Sequence, residues 1–132
     1  MNTQVHPKRR SSQKTLLRSE HEEQVAVFKW IDLNAYRFNG LNLAYAIPNG
    51  GHRHKATAAR LKAEGVRAGV PDIFIPVARK IYHGLFVEMK VKGRYPTPQQ
   101  LNYMVGLSGQ GYLCQVCHNV DEFIEVVEDY YE

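Results

Sequence analysis

Two short apolar segments that carry charged residues constrain this chain more than any other feature of its sequence. Residues 72–78 read DIFIPVA and residues 84–91 read GLFVEMKV, and both have the composition of buried strands. Asp72 opens the first segment, and Glu88 and Lys90 lie two positions apart in the second, so these two project from one face. Burying such charges is costly unless a partner compensates them. A divalent metal ion held by Asp72 and Glu88 is one such partner, and a structural ion pair between strands is the alternative.

The chain is short for more than one compact domain, and its composition is that of a globular protein. It has 132 residues, of which 44% are hydrophobic and 23% are charged. No apolar run approaches the roughly 18 residues of a membrane span, and the first twenty residues lack the apolar core of a secretory signal. Because only two cysteines are present, we expect reduced thiols and a cytoplasmic location.

The charged residues are distributed unevenly along the chain. The net charge is +4; residues 1–18 carry five positive and no negative charges, whereas residues 119–132 carry six acidic residues and no basic ones. A basic body with an acidic end favours a polyanionic partner, although a solvated tail and a solvated helix face would also explain the pattern. We predict a basic flexible arm over residues 1–18 and a single domain over residues 19–132.

Hydrophobic periodicity and turn residues predict eight elements. Their order is helix, strand, helix, strand, strand, helix, strand and helix, which fits an α/β fold with a mixed four-stranded sheet flanked by helices. Ser19 and Glu22 form a predicted capping box before the first helix, and Thr97 and Pro98 suit the start of the third. The predicted helices cover residues 20–37, 54–65, 97 onward and 120–132, and the predicted strands cover residues 41–48, 72–78, 84–91 and 111–117.

Apolar positions in two of these helices predict the sides that face the core. In the first helix they are Val25, Phe28, Ile31 and Leu33, with Val27 and Trp30 beside them, and in the third they are Leu101, Met104, Val105 and Leu107.

The acidic residues belong to a longer series of motifs. Pro71-Asp72 is followed, after fifteen intervening residues, by Glu88-x-Lys90, and this pattern resembles the signature of the PD-(D/E)XK nuclease superfamily. Further motifs occur in one order: Ser19-Glu20-x-x-x-Gln24, Pro48-Asn49-Gly50-Gly51, Gly65-x-x-Ala68-Gly69-Val70-Pro71-Asp72, Thr97-Pro98-x-Gln100 and Leu107-x-x-x-Gly111-Tyr112. Together they resemble the VRR-NUC family, the virus-type replication-repair nucleases, over roughly residues 19–128.

This resemblance implies a restriction-endonuclease-like core that hydrolyses phosphodiester bonds with Mg²⁺ or Mn²⁺ and needs no organic cofactor. Transferred by position, Asp72 and Glu88 are the central metal ligands and Lys90 is the catalytic lysine. Glu20 is the third acid, with Glu23 as its rival, and Gln100 matches the family's glutamine on the helix that follows. The carbonyl group of Met89 is expected to assist in metal binding. A simple hydrogen bond between helix and sheet is the alternative role for Gln100.

Basic residues near these motifs are candidates for contact with DNA phosphates. Asn49 lies in a glycine turn whose backbone amides suit a phosphate, and Tyr95 is a candidate for base stacking. The basic candidates are Arg53, Lys55, Arg60, Lys62, Arg67, Lys92 and Arg94. As single residues, all of these also fit an ordinary turn or a solvated surface.

One motif argues for a different chemistry and does not fit it well. Cys114-x-x-Cys117-His118 could combine with His52 and His54 as zinc ligands, but two cysteines three apart on a strand point to opposite faces. A redox role is disfavoured as well, because the cysteines do not begin a helix after a strand.

The resemblance also indicates a substrate. Family members that consist of this domain alone, often from phages, are understood to act as homodimers on four-way DNA junctions, so the resemblance implies a bacterium or a phage-infected host. A twofold dimer matches the symmetry of such branched DNA. We therefore expect a homodimeric Holliday-junction resolvase, with an interface on the terminal helix or on the loops around Phe38 or Tyr82. The alternatives are a nuclease for flaps, forks or single strands, and an inactive DNA-binding module.

Overall fold

The computed structural model describes residues 18–48 and 54–132, and within these ranges the elements follow the predicted order. Most of the predicted basic arm, residues 1–17, lies outside the described residues. The helices are α1 (Glu20–Asn34), α2 (Lys55–Ala63), α3 (Pro98–Gly109) and α4 (Val120–Tyr131), and the strands are β1 (Tyr45–Ala46), β2 (Ile73–Ile75), β3 (Leu85–Met89) and β4 (Leu113–Cys117).

The four strands form one mixed sheet in the order β1-β2-β3-β4. Strand β2 is antiparallel to both of its neighbours, β1 and β3, and Ile73 pairs with Val87. Strand β4 runs parallel to β3, with Glu88 paired with Val116, because α3 carries the chain back across the sheet between them. The predicted fold class, a mixed four-stranded sheet flanked by helices, is therefore confirmed.

The two faces of the sheet differ in chemistry. The core face packs against α1 and α4 and is lined by aliphatic side chains, including Ile73, Val87 and Met89. The opposite face, here called the site face, lies beneath α3: the Cys114 thiol on this face contacts a carbonyl group of α3. Because β3 is buried along its whole length, every charged side chain on it requires compensation.

An aromatic cluster supports the site face. Phe74 and Phe86 stack across β2 and β3 with ring centroids 4.3 Å apart, and Tyr112 meets both rings edge-on. Phe74 and Phe86 are each two residues along their strand from Asp72 and Glu88, so the cluster forms an apolar surface next to these two acids.

Several predicted boundaries and faces are wrong. The first helix ends at Asn34, and the strand predicted over residues 41–48 is reduced to Tyr45–Ala46, because 3₁₀ turns occupy Ala35–Arg37 and Leu41–Leu43. In α1 the core contacts come from Val27 and Ile31, four residues apart. Val25 and Leu33, predicted to face the core, are 40% and 74% exposed.

The third helix also packs differently from the prediction. Met104 is buried against the sheet, but Leu101 and Val105 are exposed, since only one narrow side of α3 reaches the site face. The start of α3 is confirmed: Thr97 and Gln100 form a complete capping box, with Pro98 in the first turn.

The cap predicted at α1 is confirmed in one half. Ser19 accepts a hydrogen bond from the backbone N–H of Glu22 through its hydroxyl oxygen, but the Glu22 carboxylate accepts from that same hydroxyl and not from the Ser19 backbone. The helices within residues 18–48 and 54–132 are all too short or too polar to cross a lipid bilayer.

Candidate active site

The sheet register brings the two central acids together. Since Ile73 pairs with Val87, the antiparallel ladder places Asp72 opposite Glu88, with both side chains on the site face. The Asp72 carboxylate accepts a hydrogen bond of 2.8 Å from the backbone N–H of Met89. On its other side, the Asp72 carbonyl accepts from Ile47 of the β1 edge. Asp72 is thus fixed by backbone groups on both neighbouring chain segments.

Pro71 has a local consequence for Met89. The same register places Pro71 opposite Met89, at a position where two residues ordinarily exchange both backbone hydrogen bonds. Proline has no N–H, so Pro71 cannot donate the ladder hydrogen bond to the Met89 carbonyl oxygen. That oxygen is therefore left for another electropositive partner beside Asp72 and Glu88.

Glu88 is the more deeply buried of the two charged side chains that are buried within residues 18–48 and 54–132. It is 1% exposed, and its Oε1 atom accepts from the Gln100 amide at 3.0 Å and lies 3.8 Å from the Lys90 ammonium. Its Oε2 atom is buried and has no hydrogen-bond donor within the described part of the chain. Burial, together with the negative charge of Asp72, raises the pKa of the Glu88 carboxyl to about 8, and Lys90 opposes this rise.

The capping box of α3 fixes the orientation of Gln100. Its Oε1 atom accepts from the Thr97 backbone N–H at 2.8 Å, so the amide nitrogen must face the other way, toward Glu88. Thr97 thus does more than begin a helix: it determines which end of the Gln100 amide meets the carboxylate. The Thr-Pro-x-Gln sequence signals the capping box, but not this second contact.

The two candidates for the third acid have different surroundings. Glu23 is buried, and its carboxylate accepts a hydrogen bond of 2.9 Å from the Val120 backbone N–H at the start of α4. Glu20 lies one turn earlier, and its negative charge contributes to the raised pKa of Glu88. Glu23 therefore ties α1 to α4, whereas Glu20 acts on Glu88.

A glycine lets the chain approach α3 before it enters β2. Gly69 has a φ of +88°, and a Cβ atom there would lie 3.0 Å from the Gln99 carbonyl oxygen. Only glycine adopts this left-handed backbone without strain. The close approach holds the segment leading to Asp72 against the helix that carries Gln100.

The donor set suits a hard divalent cation. The side chains of Asp72 and Glu88 are close enough to share a hydrogen bond when one of them is protonated. The buried Oε2 atom of Glu88 requires an electropositive partner. Mg²⁺ commonly binds one or two carboxylates and keeps several waters, so these two acids and the Met89 carbonyl fit it. No group of three or more His, Cys, Asp or Glu side chains in residues 18–48 and 54–132 is arranged to hold a metal; Glu20 is thus not part of a preassembled triad.

The predicted DNA-binding residues that the structure describes are exposed on the surface. Lys55, Arg60 and Lys62 are on α2, a helix that buries none of its residues, and Arg60 pairs with Glu64 at 3.1 Å. The others within the described residues, namely Arg67, Lys92 and Arg94, are exposed on loops, as is Tyr95. Asn49 and Arg53 lie outside the described residues.

The two cysteines lie on opposite faces of β4, as strand alternation requires. Cys114 faces α3, where its thiol contacts the Met104 carbonyl. Cys117 is buried in the hydrophobic core of the other face, and this burial raises the pKa of its thiol to about 12.

Comparison with known proteins agrees with this geometry. The family model of the VRR-NUC domain matches residues 11–121. A solved structure described as a VRR_NUC domain protein is similar with a TM-score of 0.72 and 32% sequence identity, over 86% of this chain and 88% of the other. Among curated proteins no match is found. The matched range contains all the acids discussed above, and it begins at residue 11, within the segment predicted as an arm.

Proposed function

Because the chain belongs to the VRR-NUC family of nucleases, we propose that it is a Mg²⁺- or Mn²⁺-dependent endonuclease that acts as a homodimer on four-way DNA junctions. The observation that carries the catalytic part is Glu88. A buried carboxylate with a raised pKa and an oxygen that lacks a donor, facing a second acid, is costly for the fold. Such perturbed groups are typical of functional sites.

The proposed reaction is hydrolysis of a phosphodiester bond. The oxygen of a water molecule bonds to phosphorus, the bond from phosphorus to one sugar oxygen breaks, and the water loses a proton while the leaving oxygen gains one. A divalent cation would be held by Asp72, Glu88 and the Met89 carbonyl, and it would supply Lewis acidity toward the phosphate and the attacking water. Glu20 adds negative charge at the edge of this group.

Lys90 and Gln100 have separate tasks in this mechanism. The Lys90 ammonium, 3.8 Å from Glu88, donates hydrogen bonds that orient the attacking water and stabilise negative charge developing on the phosphate. Gln100 holds one oxygen of Glu88 by its amide, which leaves the other oxygen to the cation. The exposed lysines and arginines of α2 and the following loops contact the flanking phosphates.

A homodimer is proposed because one small domain must recognise a branched, twofold substrate. An interface on the terminal helix would use the exposed side of α4, because Phe123, Val127 and Tyr130 are buried in the core. Phe38 and Tyr82 also pack against that core. The loops around Phe38 and Tyr82 nevertheless expose apolar side chains, with Tyr36 at 87% and Ile81 at 83%, which supports an interface there.

Cleavage assays on a panel of DNA structures test the proposal. End-labelled four-way junction, flap, fork, duplex and single-stranded DNA are incubated with the protein and Mg²⁺ or Mn²⁺. Asp72→Asn is compared with Asp32→Asn, the same substitution at an exposed position of α1 outside the site. We expect paired symmetric cuts in the junction for the wild type and Asp32→Asn, and none for Asp72→Asn.

Other outcomes would replace parts of the proposal. Cuts confined to flaps, forks or single strands would keep the active site and discard the junction as substrate. Junction binding without cleavage under either metal would favour an inactive DNA-binding module. Sedimentation of the protein with and without junction DNA tests the homodimer separately.

A further inference from the structure

His118 lies at the same end of the sheet as the candidate site. The backbone N–H of Lys90 donates a hydrogen bond of 2.9 Å to the Cys117 carbonyl, and in a parallel ladder this makes His118 the neighbour of Lys90 on the adjacent chain segment. Since Glu88 pairs with Val116, strand alternation places His118 on the site face as well. An imidazole thus stands next to Lys90, about one strand spacing away, roughly 5 Å between backbones.

The Glu122 carboxylate orients this imidazole. Its Oε2 atom lies 2.9 Å from His118 Nδ1 and accepts from the His118 backbone N–H at 2.7 Å. Because a carboxylate only accepts hydrogen bonds, the proton of the pair resides on Nδ1. Nε2 is then the nitrogen left for another partner, and the side chain is 34% exposed.

Glu122 is itself held in the ionised state needed for this role. Its backbone N–H donates to the Asn119 side chain at 2.8 Å, which fixes the start of α4. Partial burial acts to raise the pKa of the Glu122 carboxyl, but the hydrogen bonds and charge of His118 outweigh it and the pKa is lowered. A carboxylate fixed in this way holds the imidazole in one orientation.

We propose that His118 is a DNA-contacting residue of this nuclease, whose Nε2–H donates to a backbone phosphate neighbouring the one that is cleaved. This inference rests on the proposed function. The imidazole would lie between the Glu122 carboxylate and the phosphate, beside Lys90 on the site face. In the absence of this role, the pair with Glu122 would serve only to cap α4.

Two amide substitutions separate these roles. In His118→Asn the amide nitrogen takes the position of Nδ1, so the contact with Glu122 is kept and the Nε2 donor is lost. In His118→Gln the amide nitrogen takes the position of Nε2, so the donor to phosphate is kept and the contact with Glu122 is lost. His83→Asn is the matched control, because His83 is exposed at the opposite end of β3.

The measurement is the salt dependence of binding to a fluorescent four-way junction at pH 6, in Ca²⁺ and 50–200 mM KCl. For His118→Asn we expect affinity to fall about tenfold, and the slope of log K against log[KCl] to become shallower by about 0.9, the value of one lost phosphate contact. His118→Gln should keep a slope near that of the wild type. Urea unfolding of each variant reports the capping role independently.

The outcomes distinguish this inference from the function on which it rests. A wild-type slope in His118→Asn overturns the inference, whether or not the stability of the protein changes. If the wild type cleaves the junction and His118→Asn binds it equally well, the proposed function stands and only the role of His118 is lost. If the wild type fails to bind the junction at all, both are overturned. A shallower slope in both His118→Asn and His83→Asn would also overturn it, because the effect would not be local.

Discussion

Replacing Glu88 by glutamine should make the metal-free protein more stable, although Glu88 is deeply buried. In Glu88→Gln the side-chain oxygen can still accept from the Gln100 amide, which lies 3.0 Å from Glu88 Oε1. The new amide nitrogen replaces the oxygen that lacks a donor, and it faces the Asp72 carboxylate, which can accept from it. The substitution thus replaces a carboxyl that must take up a proton in the folded state by a neutral amide, and it keeps the packing.

The pKa of Glu88 sets the size and the pH dependence of this effect. Its carboxyl has a pKa of about 8 in the folded protein, raised by burial and by Asp72 from an ordinary value of 4.5. Between these two pKa values the folded state therefore holds a proton that the unfolded chain releases. The contribution of Glu88 to the free energy of unfolding is fully present below pH 4.5 and is lost as the pH rises through 8. At about 1.4 kcal/mol per pH unit, the loss is about 3 kcal/mol at pH 7.

Urea unfolding in EDTA, followed by circular dichroism at pH 5, 7 and 8.5, measures this difference. We expect Glu88→Gln to exceed the wild type by up to about 3 kcal/mol at pH 7, and by little at pH 5. Asp32→Asn, an exposed change of the same kind, should differ by less than about 0.5 kcal/mol. Added Mg²⁺ should stabilise the wild type and not Glu88→Gln, because binding to the folded state alone raises its stability. A gain independent of pH, or a loss at pH 8.5, would refute the reasoning.

Three further substitutions test the geometry around Glu88. Pro71→Ala supplies an N–H opposite the Met89 carbonyl, so the Mg²⁺ concentration for half-maximal thermal stabilisation should rise; an unchanged midpoint would remove this carbonyl from the ligand set. Gly69→Ala places a methyl group against α3 at a residue with left-handed backbone, so the free energy of unfolding should fall by about 1–3 kcal/mol. Urea unfolding measures this loss, and a loss below about 0.5 kcal/mol would contradict the close approach. Gln100→Glu keeps the capping-box acceptor but presents a second carboxylate to Glu88, so stability should fall as the pH rises from 5 to 8, and a pH-independent effect would count against the contact.

The order of elements was predictable, but the face of each helix was not. Apolar runs bounded by glycine and proline indicate the strands, and this signal does not depend on how the sheet packs against the helices. In α1, however, apolar residues occur on more than one side, and the tertiary contacts with α4 select Val27 and Ile31. Leu33 then remains exposed although its residue type favours burial. Periodicity cannot decide between two apolar stripes when the partner helix lies nearly a hundred residues away.

Part of the candidate site was likewise predictable from local sequence, and part depends on tertiary contacts. Asp72, Glu88 and Lys90 follow from strand alternation, which is a local property of the chain. The distinction between Glu20 and Glu23 depends on Val120, whose N–H reaches Glu23 only after the sheet and α4 have assembled. Sequence spacing on one helix carries no information about that contact.

The two faces of the sheet explain how a chain of this size can hold a destabilised acid pair. On the core face, β2 and β3 contribute aliphatic side chains to the core shared with α1 and α4, and this packing supplies stability that does not depend on pH. On the site face, Glu88 is held by Gln100, which the Thr97 backbone fixes, and by Lys90. The Glu88 carboxyl therefore cannot rotate into solvent to avoid the cost of its burial. The unfavourable burial of Glu88 is therefore confined to one face of the sheet, where a bound cation can compensate it. If this division is correct, a cavity substitution such as Val127→Ala should lower stability by the same amount in Glu88→Gln as in the wild type, since separate sites add.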